Sequence, residues 1–277
     1  RNRLRNLGFF EEVNLSTSEG SASNKNELNV EVSEKPTGSF TIGAGYSSVD
    51  KVIFQGSISQ GNFMGYGLNL KASVTHSNSS NLYSLGLTDP YFLDTRWTAG
   101  FDLYKTEREW TDFTEKATGG ALKIGHPLGR FSRGLVTYRY EEKEILDIDP
   151  NVTSVTILDQ EGTSVLSSVT GSLQRNTTDY RMDPSRGGVS AFSAEYAGLG
   201  GTDKFAKFEI SHRHFFPLFW NTVLSINGDL GYVIKTSDDE IPISEKIFLG
   251  GLRSIRGFDT REVGPSEKDS AGVESFV

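Results

Sequence analysis

From Gly38 onward, apolar and polar residues alternate in short runs with almost no helical periodicity. The clearest run covers residues 222–235. Thr222, Leu224, Ile226, Gly228, Leu230, Tyr232 and Ile234 share one side of an extended chain, and Val223, Ser225, Asn227, Asp229, Gly231, Val233 and Lys235 share the other. Residues 206–213 repeat the pattern, with Ala206, Phe208 and Ile210 set against Lys207, Glu209, Ser211 and Arg213. So do residues 97–104, where Trp97, Ala99, Phe101 and Leu103 oppose Thr98, Gly100, Asp102 and Tyr104. Leu68, Leu70, Ala72 and Val74 likewise oppose Asn69, Lys71, Ser73 and Thr75. About 11 such strands are expected up to Lys235, followed by a long loop and the first residues of a further strand at "GVESFV".

A soluble sandwich and a membrane barrel both produce this alternation. The sandwich buries its apolar faces between two sheets, whereas the barrel turns them to lipid around a wet interior. Strand length favours the barrel, since runs of about 10–14 residues match tilted membrane-spanning strands rather than short sandwich strands. Loop lengths are expected to alternate: long "HSNSSN", "TEREWTDFTEKATG" and "EILDIDPNVTSVTILDQEG" against short "DPYFLDTR", "PLGRFSR" and "RMDPSRGG". Aromatic residues gather at the short turns, at Phe63 and Tyr66, at Tyr91 and Phe92, and at Phe215, Phe216, Phe219 and Trp220, as in an interfacial girdle. The fold class is therefore all-β, an antiparallel transmembrane β-barrel over residues 37–277.

Residues 1–36 read differently. "RNRLRNLGFF" has Leu4 and Leu7 on one helical face and Gly8 as a stop. "FFEEVNLST" and "NELNVEVSEK" then predict a hairpin, closed by Pro36. Helix, strand, strand is the end of a small α+β module, and the expectation is that the chain begins inside a domain. Closed barrels need an even strand number and no open edge, so the expectation is that either further strands beyond Val277 or something else completes the wall.

Composition removes several classes. The 277 residues carry no cysteine, which excludes disulfide scaffolds and thiolate chemistry. The net charge of −8 argues against nucleic acid as a partner. No apolar run is long enough for a membrane-spanning helix. His212 and His214 point the same way from one strand, on the lipid side by phase. They lack a third ligand nearby, so interfacial packing is the better reading than a metal site. Asp238, Asp239 and Glu240 lack the spacing of a calcium loop and read as a solvated acidic tip. Glu141 and Glu142 fall on opposite faces of a strand and make no dyad. "GAGYSS" lacks the third glycine and the helix of a dinucleotide fingerprint, and no serine elbow, Walker loop or H-E-x-x-H occurs. No enzyme and no cofactor are expected.

One stretch remains unexplained by strands, "FLGGLRSIRGF" at residues 248–258, with three glycines and an arginine between Ile255 and Gly257. It resembles the sixth external loop of BamA-type outer-membrane assembly proteins, whose hallmark is a hydrophobic-Arg-Gly-aromatic motif. The resemblance extends along the chain. "RLRNLGFF" resembles the end of a POTRA domain, and "GSFTIGAGYSS" resembles the first barrel strand. "NFMGYGLNL" and "LTDPYFLDTRW" resemble later strand ends with their turns, and "DPSRGG" resembles the turn before the ninth strand.

The resemblance implies a loop folded back into the lumen, with Gly250 and Gly251 bending it inward. Ile255, Arg256, Gly257 and Phe258 would form its lumen motif, and Arg256 would pair with an acidic residue beyond Val277. It also implies a weak lateral seam at the first strand, made by Gly38, Ser39, Phe40, Thr41, Ile42, Gly43, Ala44, Gly45 and Tyr46. That seam would offer its edge to unfolded outer-membrane proteins. Further implications are local thinning of the bilayer, accessory assembly lipoproteins as partners, and a bacterial outer-membrane location with the POTRA part in the periplasm. Two-partner secretion and TamA-like transporters share the loop motif, so polypeptide export through the barrel stays open as the alternative.

Overall fold

The computed structural model describes residues 9–22, 25–47, 50–110, 113–149, 155–180, 183–220, 222–251, 254–258, 263–268 and 274–276. The expected helix at Leu4, Leu7 and Gly8 lies outside them. The hairpin that follows is present as β1 (Phe10–Glu19) and β2 (Asn26–Glu34). Its register sets Val13 opposite Val32, Leu15 opposite Val30 and Thr17 opposite Leu28 on one face. Glu12, Asn14, Ser33 and Glu31 occupy the other face.

Eleven strands follow: β3 (Gly38–Ser47), β4 (Lys51–Phe63), β5 (Leu68–Ser77), β6 (Ser80–Asp89), β7 (Thr98–Glu109), β8 (Thr114–Pro127), β9 (Ser132–Leu146), β10 (Gly162–Asn176), β11 (Gly187–Ala197), β12 (Phe205–Pro217) and β13 (Val223–Lys235). They form one antiparallel meander, ordered β3 to β13, in which each strand pairs only with its chain neighbours. Their lengths run from 10 to 15 residues, as spanning strands require.

Register locks the two faces. Ile42 sits opposite Gly56, Gly56 opposite Val74, and Val74 opposite Tyr83. Leu173 sits opposite Phe192, Phe192 opposite Ile210, and Ile210 opposite Leu230. Every one of these apolar side chains is exposed, Ile42 at 75% and Leu230 at 73%. An apolar band bare around a whole sheet has one stable environment, hydrocarbon. The opposite face carries the buried polar groups, among them Glu141, Lys143 and Ser168. The outward phase read for Leu224, Ile226 and Leu230 is the phase observed.

One end of the sheet is lined by the turns at residues 64–67, 90–97 and 128–131 and by residues 177–180, 183–186, 218–220 and 222. Tyr66, Tyr91, Phe92, Trp97, Phe131, Phe219 and Trp220 all stand exposed there, which is the expected girdle. The β1–β2 hairpin joins the sheet at this same end, where the Gly61 N–H donates to the Thr37 carbonyl at 3.1 Å.

The loop asymmetry is weaker than expected. "HSNSSN" and "TEREWTDFTEKATG" are mostly strand, with only 78–79, 110 and 113 lying outside the strands among the described residues. Polar residues there extend the sheet past the apolar band, and backbone pairing carries the strands on where lipid contact stops. The long connections at that end are residues 147–161 and the segment after Lys235. "GVESFV" also differs from expectation. Glu274–Phe276 (β15) pairs with Ser266–Lys268 (β14) as a small separate sheet, not with β13.

Candidate functional site

The segment after β13 turns back over the inner face. Ile241 packs on Leu166, Ala197 and Phe205, all fully buried, beside Val233. Ile243 packs with Phe113 and Ile157 in a second cluster flanked by Trp110, Ile145, Ile148 and Phe248. The Gln160 side chain holds the backbone between them: its amide donates to the Ile241 carbonyl at 3.2 Å, and its oxygen accepts from the Ile243 N–H at 2.7 Å. Two apolar clusters and one bidentate amide thus dock the first part of the loop.

Below them lies a charge cluster built by β9, β11, β12 and the loop. Arg139, Glu141 and Lys143 project inward at alternate positions of β9. The Glu245 carboxylate accepts from Lys143 at 2.8 Å and from Arg139 at 3.1 Å through one oxygen, and from Lys207 at 3.4 Å through the other. Arg139 also meets Glu195 at 2.8 Å, and Glu195 accepts from Ser168 at 2.7 Å. Lys143 lies 3.5 Å from Glu141 and donates to Ser244 at 2.9 Å, while Tyr104 donates to Glu141. Three cations, Arg139, Lys143 and Lys207, face three carboxylates, Glu141, Glu195 and Glu245, so the buried charges balance.

Burial alone would raise the Glu245 carboxyl. The neighbouring Lys143 and then Arg139 outweigh that and hold it near about 2. Asp203, in the connection before β12, shows the opposite balance. It is 6% exposed, its Oδ2 has no hydrogen-bond partner among the described residues, and burial pushes its carboxyl up.

Further along, the loop forms a compact tip. Leu249 and Val263 exchange backbone hydrogen bonds, and the Gly251 N–H donates to the Phe258 carbonyl at 3.0 Å. The Ser254 hydroxyl donates to the Gly250 carbonyl and accepts from the Gly250 N–H, each at 2.8 Å. Gly250, Gly251 and Gly257 have φ of 112°, 88° and 94°, values that a side chain strains to reach. Ile255, Arg256, Gly257 and Phe258 are exposed at this tip, and Arg256 has no ion pair among the described residues. Glu245, a residue that sequence reasoning passed over, adds ion pairs with β9 and β12 to the apolar clusters and the Gln160 amide that dock the loop on the inner face.

The expected first-strand residues, Gly38 to Tyr46, form β3 and lie at the sheet edge. One side of β3 pairs with β4, and the other side has no strand partner among the described residues. Phe40, Ile42 and Tyr46 face outward, while Gly43 and Gly45 have no atom within 4 Å of a would-be Cβ. Of the discounted sites, Asp239 pairs with Lys204 at 3.2 Å and Glu240 pairs with Lys235. No group of three metal-binding side chains occurs among the described residues.

A wall of antiparallel strands with lipid-facing grease and an inward loop is matched by one family model, that of the Omp85 superfamily domain, over residues 62–277. The chain belongs to the Omp85 superfamily. This Omp85 chain is 27% identical over 270 residues to the outer membrane protein assembly factor BamA of Nitratidesulfovibrio vulgaris, covering 97% of this chain and 34% of that one. It thus spans about a third of that curated relative's length. Its fold matches the crystal structure of BamA from Haemophilus ducreyi lacking POTRA domains 1–3, with a TM-score of 0.82 and 20% identity, over 96% of this chain and 54% of the other. CdiB from Acinetobacter baumannii follows with a TM-score of 0.57 and 16% identity, over 92% of this chain and 50% of the other. The Omp85 chain is part of an outer-membrane β-barrel wall of the BamA type.

Proposed function

We propose that this wall belongs to an assembly factor that folds outer-membrane proteins and inserts them by strand augmentation at β3. The observation that carries the reading is the similarity to the outer membrane protein assembly factor BamA over 97% of this chain, and β3, the first strand of the wall, is the strand the reading assigns to client pairing. A row of unpaired N–H and C=O groups in lipid is costly, and an incoming strand satisfies it. Gly43 and Gly45 keep the inner side of this strand thin, which weakens any resident partner. Local thinning of the bilayer beside the seam would lower the insertion barrier further.

In this reading residues 1–36 are the end of a POTRA domain on the periplasmic side, which supports docking of accessory lipoproteins and delivery of unfolded clients. Arg256 is the lumen arginine, presented by the Gly250–Phe258 tip to an acidic partner on the rest of the wall. No catalytic chemistry and no cofactor enter.

The test uses the full-length protein in liposomes with a urea-unfolded barrel client. The wild type accelerates client folding over empty vesicles, and Arg256→Ala reduces the acceleration. Absence of acceleration by the wild type overturns the reading. Polypeptide export through the barrel, the alternative left open by the shared loop motif, predicts instead solute efflux from protein-loaded vesicles without client folding.

A further inference from the structure

Near the turn end that carries the β1–β2 hairpin, the apolar outer face of β10–β13 is interrupted by a polar row. On β12 the outward residues Ala206, Phe208 and Ile210 give way to His212 and His214 before Phe216. His212 stands opposite Ser190 of β11, and Ser190 stands opposite Arg175 of β10. The row Arg175–Ser190–His212 therefore crosses three strands on the lipid-facing side. Ser190 Oγ and His212 Nδ1 are 2.9 Å apart, which leaves His212 Nε2 for another partner. His214 stacks between His212 and Phe216, with ring centroids 5.7 Å and 4.4 Å away. Glycine sits beside both imidazoles: Gly188 is opposite His214 and Gly228 is opposite His212. A Cβ at Gly188 would lie 3.0 Å from His214 Nδ1, and one at Gly228 would touch nothing within 4 Å. At Gly188 the two imidazoles take the space a side chain would fill, while Gly228 leaves the flank of His212 open.

Charge on this face is one-sided. Arg175 is exposed and has no ion pair among the described residues. Glu195, Glu209 and Asp229 share the opposite phase and face inward. Asp179, the carboxylate nearest to Arg175 in sequence, is occupied by its own turn. It accepts from the N–H groups of Tyr180, Ser185 and Arg186 at 2.9, 3.0 and 3.3 Å, and from the Ser185 hydroxyl. A guanidinium, a hydroxyl and two imidazoles without a facing carboxylate suit a phosphate.

Depth selects which phosphate. Arg175 is one residue from the end of β10, and His214 touches Phe216 beside the girdle residues Phe219 and Trp220. Arginine on a barrel's lipid face costs about 2–4 kcal/mol at the midplane and about 0–1 near the interface, where headgroups lie. The end that carries the β1–β2 hairpin, opposite the 147–161 connection and the segment after Lys235, faces the periplasmic leaflet. We propose that Arg175, Ser190, His212 and His214 bind the phosphate of an anionic phospholipid of that leaflet, its acyl chains lying along Phe192 and Ile210. This needs only the membrane orientation of the wall and is independent of the assembly reading.

The test is lipid retention by the full-length protein, transferred from nanodiscs to detergent and measured by native mass spectrometry. Nanodiscs of phosphatidylcholine with or without phosphatidylglycerol supply the probe. The wild type retains phosphatidylglycerol in preference to phosphatidylcholine. Arg175→Gln and His212→Gln each weaken that retention about tenfold, the loss of one charge-assisted hydrogen bond. Lys105→Gln, a lipid-face change near the other end, leaves it unchanged. Equal retention of both lipids, or unchanged retention in Arg175→Gln, overturns the proposal. So does displacement of the bound lipid by inorganic phosphate, which would mark a free-anion site.

Discussion

The Glu245 carboxylate and the Lys143 ammonium lie 2.8 Å apart, although 102 positions separate them in sequence. Both are nearly enclosed, with side-chain exposures of 7% and 6%. Removing one partner of an enclosed ion pair strands the other and costs about 3–5 kcal/mol. Glu245→Gln should therefore loosen the docked loop, and hydrogen exchange at the Ile243 amide, which is bonded to Gln160, should speed more than about 100-fold. Pairing Glu245→Gln with Lys143→Met should recover part of the protection, because the cluster again balances, with Arg139 and Lys207 against Glu141 and Glu195. Unchanged exchange in Glu245→Gln would mean that the apolar clusters alone hold the loop.

Glu245 also sets a pH dependence. Its carboxyl is held near about 2 in the docked loop, against an ordinary value of 4.5. A depressed carboxyl stabilises docking above its ordinary range and loses that contribution as the pH falls towards the depressed value. Loop protection should be constant at neutral pH and decline between about pH 4.5 and pH 2. Exchange at Ile243 measured across that window, in wild type and Glu245→Gln, isolates the carboxylate, since the variant should lack this part of the profile.

Asp203 should respond in the opposite sense. Burial raises its carboxyl and its Oδ2 lacks a hydrogen-bond partner among the described residues. A raised carboxyl favours the fold at low pH and opposes it once ionised, as the pH rises through the raised value. Asp203→Asn should leave thermal stability unchanged or raised at pH 7, measured by heat-modified gel mobility. A marked loss would show that the charge is used.

Two kinds of glycine should separate cleanly. A Cβ at Gly43 or Gly45 meets nothing within 4 Å, so alanine there should stabilise β3 by about 0.5–1 kcal/mol and slow client folding. A Cβ at Gly119 would lie 2.7 Å from the Tyr140 carbonyl oxygen and 2.9 Å from the Glu141 Cα. Gly119→Ala should cost about 1–3 kcal/mol and disturb the charge cluster. Denaturant midpoints of the variants test both claims.

The outward faces were legible because lipid contact imposes a strict two-residue period, visible in Leu224, Ile226 and Leu230 without any knowledge of partners. Loop lengths were misread where that period stops. "HSNSSN" is polar on both faces above the lipid and reads as loop, yet backbone pairing continues to Ser77 and resumes at Ser80. Glu245 was not legible. In "PISEKIF" it looks like any solvated loop acid, and its partners on β9 and β12 become neighbours only when the sheet curls beneath the loop. His212 and His214 carried a signal, two polar residues in the apolar phase of β12. Ser190 and Arg175, which complete their row, are found only through the register.

The most direct measurement is a scan of β3. A photo-crosslinking residue is placed at each position from Gly38 to Tyr46, and at Arg139 and Lys207 on the inner face, in the full-length protein engaged with an arrested barrel client. Strand augmentation predicts capture of one client strand along β3 in a fixed antiparallel register, with little capture at Arg139 or Lys207. Capture of the client at Arg139 and Lys207, with β3 silent, would contradict it and place the client's path through the barrel interior.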